Sequence, residues 1–151
     1  MIPSNVSDFG AAFIRKWEGC ELQAYQDLKG IWTIGYGNTM YKNGTSVKQG
    51  DTITQLEADI LFRSILSRFE TSLSKLLRND VTQSQYDALL SLCYNIGIGA
   101  FGGSTILRLI NRNANDPNIR AEFMKWNRSG GKVSNGLTNR RTAEAKMYFN
   151  E

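Results

Sequence analysis

The chain has 151 residues, 18 Lys and Arg against 14 Asp and Glu, two cysteines and no histidine. Without histidine there is no Ser–His or Cys–His nucleophile pair and no His-bearing zinc site, and Cys20 and Cys93 lie too far apart for a CxxC redox or metal motif. No GxxxxGK[ST] or GxGxxG stands between a strand and a helix, so no cofactor or metal is expected, and proton transfer falls mainly to Asp and Glu.

A hydrophobic fraction of 41% and a charged fraction of 21% describe one soluble globular domain, and no apolar window is long enough to span a membrane. The opening MIPSNVSDFGAAFIRKW does not read as a signal peptide, so the chain is expected to stay where it is made. The formal net charge is +4, and residues from 101 onward hold nine Lys and Arg against four acids. That bias suits a polyanionic partner (nucleic acid, a membrane surface or an anionic wall polymer) or simply a solubilising surface.

In chain order, residues 7–18 predict a short helix, with Ser7 as N-cap and Phe9, Phe13 and Trp17 on one face. Gly19 is its stop. Residues 22–27 and 31–36 read as two strands around a Leu28-Lys29-Gly30 turn, and Lys42-Asn43-Gly44 marks another turn. Thr54-Gln55-Leu56-Glu57 is a capping box opening a helix that runs to about residue 78, with Phe62, Leu66, Phe69 and Leu73 at helical spacing. Thr82-Gln83-Ser84-Gln85 is a second capping box, and its helix ends near Gly97. Residues 104–112 form another helix, and Asp116-Pro117 reads as an N-cap followed by proline at the first helical position. Residues 128–136 read as a loop and about 138–149 as the last helix. A small β region ahead of many helices gives an α+β class. The expected division is a β-rich lobe at about 19–53, a connecting helix at about 55–78, and a helical lobe at about 79–151 that also takes in the helix at 7–18.

The candidate chemistry lies in WEGCELQAYQDLKGIWTIGYGNT, residues 17–39. Glu18 ends a helix, where the dipole and the apolar cover of Phe13 and Trp17 disfavour its charged form, as a general acid needs. Asp27 adjoins a turn open to water. Two carboxyls in unlike environments are the pattern of glycoside hydrolysis. Period-two alternation puts Trp32, Ile34 and Tyr36 on one face of the return strand and Thr33, Gly35 and Gly37 on the other, a small, open face with one hydroxyl where a sugar could lie. An ordinary helix-end Glu and turn Asp would look the same.

These residues resemble the phage-type lysozymes, a muramidase family of glycoside hydrolases. Glu18-Gly19, Asp27, Thr33 and Ile34-Gly35-Tyr36-Gly37 fit every interval of the family's opening pattern. Residues 85–111 and 121–149 resemble its second and C-terminal stretches, in order, so the resemblance covers nearly the whole chain. It implies a lysozyme-like fold with a small N-terminal β lobe and a larger helical lobe joined by a long helix. It also implies hydrolysis of the β-1,4 bond between N-acetylmuramic acid and N-acetylglucosamine in bacterial peptidoglycan. By the same resemblance Glu18 is the general acid, Asp27 and Thr33 position and activate the attacking water in an inverting displacement, and Thr39, Tyr94, Asn95 and Ile106 line the sugar cleft. The implied setting is phage-mediated lysis by a monomer held in the host cytoplasm until a separate holin-like protein opens the membrane, with no nucleic-acid partner. A lytic transglycosylase and a non-catalytic wall binder are the alternatives. Asn38 is the departure, standing where the family often has His. The cysteines are expected to be buried, reduced thiols.

Overall fold

Ser7 starts α1 (Asp8–Glu18): its hydroxyl oxygen accepts the Gly10 N–H at 3.0 Å. The computed structural model describes all residues, 1–151. After α1 come β1 (Glu21–Gln26), β2 (Trp32–Gly35), α2 (Gln55–Leu76), α3 (Gln83–Ile96), α4 (Ile98–Gly102), α5 (Thr105–Arg112) and α6 (Ile119–Met124). A two-residue ladder, β3 (Arg128–Ser129) with β4 (Lys132–Val133), precedes α7 (Asn135–Tyr148). This is the expected α+β class. The chain divides into two compact units, residues 14–68 and residues 1–13 with 69–151, and it passes between them within α1 and within α2.

The unit of residues 14–68 is built on the antiparallel pair β1–β2, in which Tyr25 stands opposite Thr33 and Gln26 opposite Trp32, with an irregularity between Glu21 and Tyr25. The turn is closed where Asp27 N–H donates to the Ile31 carbonyl at 2.9 Å, and Gly30 takes the left-handed φ of 79°. The segment after it returns as a third edge: Ala24 donates to Asp51 and Ile53 to Leu22, each at 2.9 Å. Ile34, Val47 and Leu61 form the core, with Ala24, Trp32, Tyr41 and Ile53 packed around them. The capping box at the start of α2 is present, Thr54 N–H reaching Glu57 Oε1 at 3.3 Å and Glu57 N–H reaching Thr54 Oγ1 at 3.1 Å.

In the other unit α3 is the central helix, begun by the second capping box at Thr82 and Gln85. It packs on α7 and α4. Leu89, Leu90 and Leu92 have no exposed surface, and full burial of each is worth about 1.5–3 kcal/mol. The start of α1 is tied to α3 from a distance, since Asp87 accepts both the Ser7 N–H, at 3.0 Å, and the Ser7 hydroxyl.

Five details differ from the reading of the sequence. Phe9 is 72% exposed, while Phe13 and Trp17 are half-buried, so only part of that helix face turns inward. Asp116 does not cap a helix: its Oδ1 accepts the Asn118 N–H at 2.9 Å in a turn, and α6 starts later, at Ile119. The loop expected over 128–136 holds the β3–β4 hairpin, and Ser134 caps α7, its hydroxyl oxygen accepting the Leu137 N–H at 3.2 Å. The short α4, between Gly97 and Gly103, was not expected at all. Cys93 is buried, and burial pushes its thiol well up, whereas Cys20 is only half-buried; both are free.

Candidate active site

Glu18 is the last residue of α1 and is partly buried. Gly19 follows with φ 67°, a left-handed turn that ends the helix and sends the chain into β1. Gly37 packs against the acid so closely that a Cβ there would stand 2.9 Å from Glu18 Oε1. Only glycine fits there without displacing the carboxyl.

Asp27 sits at the mouth of the hairpin turn. Its Oδ1 accepts two backbone donors, Lys29 N–H at 2.8 Å and Ile31 N–H at 2.9 Å. Both bonds use Oδ1, so two backbone donors fix the orientation of the carboxylate. Thr33 donates its hydroxyl to the Ile31 carbonyl at 2.9 Å. With its only proton committed, that hydroxyl is an acceptor towards any water beside it. Thr33 is 4% exposed and Gly35 is buried, while Gly37 is exposed, so the small face expected to be open is covered at its first two residues.

Tyr25 relates these residues to one another. It lies opposite Thr33 on β1, is 38% exposed, and its phenol is pushed up by burial and by the charges of Glu18, Glu21 and Asp27, in that order. The charges of all three acids of the stretch are thus felt at one aromatic side chain, which stands opposite Thr33.

The remaining candidates differ in what they can offer. Thr39 is exposed, its carbonyl accepting the Val47 N–H at 3.0 Å. Tyr94 is half-buried on α3 and packs on Phe69, with ring centroids 5.4 Å apart. Asn95 is exposed and its Oδ1 accepts from Arg141 Nη2. Ile106 is fully buried in α5, so its side chain belongs to the core and presents no surface to a sugar. The sequence also gave no hint of a charged group buried beside α3. Glu144 lies 3.1 Å from Arg141 and 3.3 Å from Arg140, and Ser91 donates to it at 2.5 Å. Burial pushes the Glu144 carboxyl up, opposed by Arg141, Arg140 and the Ser91 hydroxyl. No group of three or more Cys, Asp or Glu side chains is arranged to hold a metal ion.

Comparison with known proteins gives the family of the chain. Residues 15–144 match the family model described as phage lysozyme. The endolysin of Bacillus phage B103 is 40% identical over 147 residues, which make up 96% of this chain and 54% of that protein, so the chain spans about half the length of that relative. The solved endolysin from Escherichia coli O157:H7 phage FAHEc1 superposes with a TM-score of 0.88 at 37% identity, covering 97% of this chain and 94% of that one. The muramidase domain of SpmX from Asticaccaulis excentricus superposes with a TM-score of 0.83 at 33% identity, covering 95% and 97%. With a family model matched over most of its length and relatives of this similarity, the chain belongs to the phage lysozyme family.

Proposed function

We propose that this protein is a muramidase that hydrolyses the β-1,4 bond between N-acetylmuramic acid and N-acetylglucosamine in bacterial peptidoglycan, serving lysis of a phage-infected cell. The observation that carries the reading is the pair Asp27 and Thr33, both anchored on Ile31. In the proposed step a water donates one hydrogen towards Thr33 Oγ1 and the other to Asp27. As its oxygen bonds to the anomeric carbon, the proton moves to the carboxylate. Glu18 gives its proton to the glycosidic oxygen as that bond breaks, so charge balances and the anomeric centre inverts. An inverting pair calls for carboxyls about 6.5–9.5 Å apart, to leave room for the water.

Family membership and the relatives' names, endolysin and muramidase, support the substrate class. The bond cut, the inversion and the roles of Glu18, Asp27 and Thr33 are the proposal. In this reading the enzyme acts as a monomer and reaches the wall once a separate holin-like protein opens the membrane. No helix of the structure is long and apolar enough to cross a membrane.

The test is mass spectrometry of muropeptides released from purified peptidoglycan by the wild type and by Glu18→Gln. Hydrated reducing ends from the wild type, and none from a folded Glu18→Gln, are expected. Anhydro sugars would replace the hydrolase reading with a transglycosylase, and undiminished release by Glu18→Gln would remove Glu18 from its role.

A further inference from the structure

Asn38 has no part in the chemistry above, yet it is 3% exposed and its side chain is engaged inside the Gly35-Tyr36-Gly37 loop. Ile34 and Asn38 exchange both backbone hydrogen bonds, at 2.8 and 2.9 Å, and so pinch off those three residues. Gly35 and Gly37 sit at φ 65° and 83°, left-handed values that let the backbone turn back so tightly. Between them the Tyr36 N–H points into the loop, and the Asn38 side chain answers it: Oδ1 accepts at 3.2 Å. The same oxygen lies 3.0 Å from where a Cβ on Gly35 would stand, so the carboxamide fills the loop's interior.

The loop has two other attachments. At one end Tyr36 donates its hydroxyl to Asp59 and accepts from Gln55 Nε2, each at 3.2 Å, and its ring packs on Phe62 with centroids 5.0 Å apart. At the other end Gly37 faces the acid, since a Cβ on it would stand 2.9 Å from Glu18 Oε1. The position of the loop backbone therefore bounds the position of the acid. A shift of Gly37 towards Glu18 narrows the space left to the carboxyl on that side. The residue that holds the middle of the loop is Asn38.

We propose that Asn38 is a positioning residue for the reaction: its side-chain oxygen fixes the Gly35–Gly37 backbone, and that backbone fixes the carboxyl of Glu18. The proposal rests on the reading of Glu18 as general acid. What the site requires at residue 38 is a short side chain with an acceptor two atoms beyond Cβ. A misplacement of about 1 Å in a reacting group can cost on the order of a hundredfold in rate with little change in binding.

The experiment compares Asn38→Leu, which keeps the size and removes the acceptor, with Asn38→Asp, which keeps the acceptor, alongside Glu18→Gln. The quantities measured are kcat and KM on soluble peptidoglycan fragments, with circular dichroism melts of each variant. Asn38→Leu is expected to lower kcat by about ten- to a hundredfold with KM within about twofold, and Asn38→Asp to regain most of kcat. Asn38→Ala carries the same comparison if Asn38→Leu does not fold. A purely structural Asn38 would lower the melting temperature and leave kcat intact, and that result overturns the proposal. So does an equal loss of kcat in Asn38→Leu and Asn38→Asp. Activity in Glu18→Gln overturns the acid assignment beneath it, whereas an inactive Glu18→Gln with a fully active Asn38→Leu overturns the role of Asn38 alone.

Discussion

Asp27 and Thr33 are tied to the same residue. Ile31 gives its N–H to Asp27 Oδ1 at 2.9 Å, and its carbonyl accepts the Thr33 hydroxyl at 2.9 Å. That carbonyl also takes the Asp27 N–H, so the hairpin closure and the placing of both side chains are one hydrogen-bonded arrangement. A water between Asp27 and Thr33 would then meet two acceptors whose spacing is set by backbone geometry rather than by two free side chains.

Substitutions at Asp27 can separate the turn from the chemistry. Asp27→Asn keeps an oxygen for Lys29 and Ile31 but cannot take a proton from water, so it should fold with an almost unchanged melting temperature and lose about 10²–10⁴-fold in kcat. Asp27→Ala should lose activity to the same degree and also about 1–2 kcal/mol of stability, because two backbone donors lose their partner. Thermal melts and initial rates on purified peptidoglycan would show it. An active Asp27→Asn would rule out the residue as base.

Gly37→Ala places a methyl 2.9 Å from Glu18 Oε1 at a φ of 83°. The backbone strain should cost about 1–3 kcal/mol. The rate should fall by at least about tenfold, because the acid must move. Gly44, at φ 86° with nothing near its Cβ direction, is the control. Gly44→Ala should show the stability loss without the rate loss, and equal rates for the two variants would mean that the contact with Glu18 does not matter.

Glu144 is a charge that cannot be removed alone. Glu144→Gln leaves the buried guanidiniums of Arg140 and Arg141 without the carboxylate that faces them, and should cost about 3–5 kcal/mol. Urea unfolding is the measurement. A loss below about 1 kcal/mol would indicate that the two arginines relax to other partners.

The loop after β2 should carry a pH signature. Asp51 Oδ2 accepts the Tyr41 hydroxyl at 2.6 Å and the Lys48 N–H at 2.9 Å, and these bonds, Tyr41's foremost, hold its carboxyl below the usual aspartate range. A depressed carboxylate adds stability above its unfolded pKa, and that stability is lost as pH falls through the folded value. Tyr41 is the mirror case. Burial and Asp51 push its phenol up to about 12, so its contribution is complete below about 10 and is lost as pH rises through the folded value. Melting temperatures of Tyr41→Phe should therefore fall less steeply than those of the wild type on acidification below about pH 4 and on alkalinisation above about pH 10. Parallel curves for the two proteins would contradict the linkage.

What could be read from the sequence was mainly local. The capping boxes at Thr54 and Thr82 and the turn at Leu28–Gly30 each depend on residues within four positions, and each is present. Asp116-Pro117 misled because the same side-chain acceptor serves a turn as readily as a cap. Gly136 hid the start of α7, since a glycine one step after Asn135 reads as loop although Ser134 supplies a cap. In the candidate site the intervals of Glu18, Asp27 and Thr33 were visible, but the burial of Thr33 and Ile106 and the pairing of Glu144 were not. Those depend on which segments cover β2, α5 and α7, and no spacing along one element reports that. Asn38 was visible as a departure, but its work inside the loop was not.

The bond between Ser7 and Asp87 has a consequence for how the chain is made. The helix ending in Glu18 is begun by a serine whose partner is encoded 80 positions later. On a ribosome adding about 5–20 residues each second, several seconds pass between the two. During that interval the first helix is an 11-residue segment that is too short to hold its shape alone in water. The side-chain anchor at the start of the helix that ends in Glu18 therefore forms only after α3 has been made.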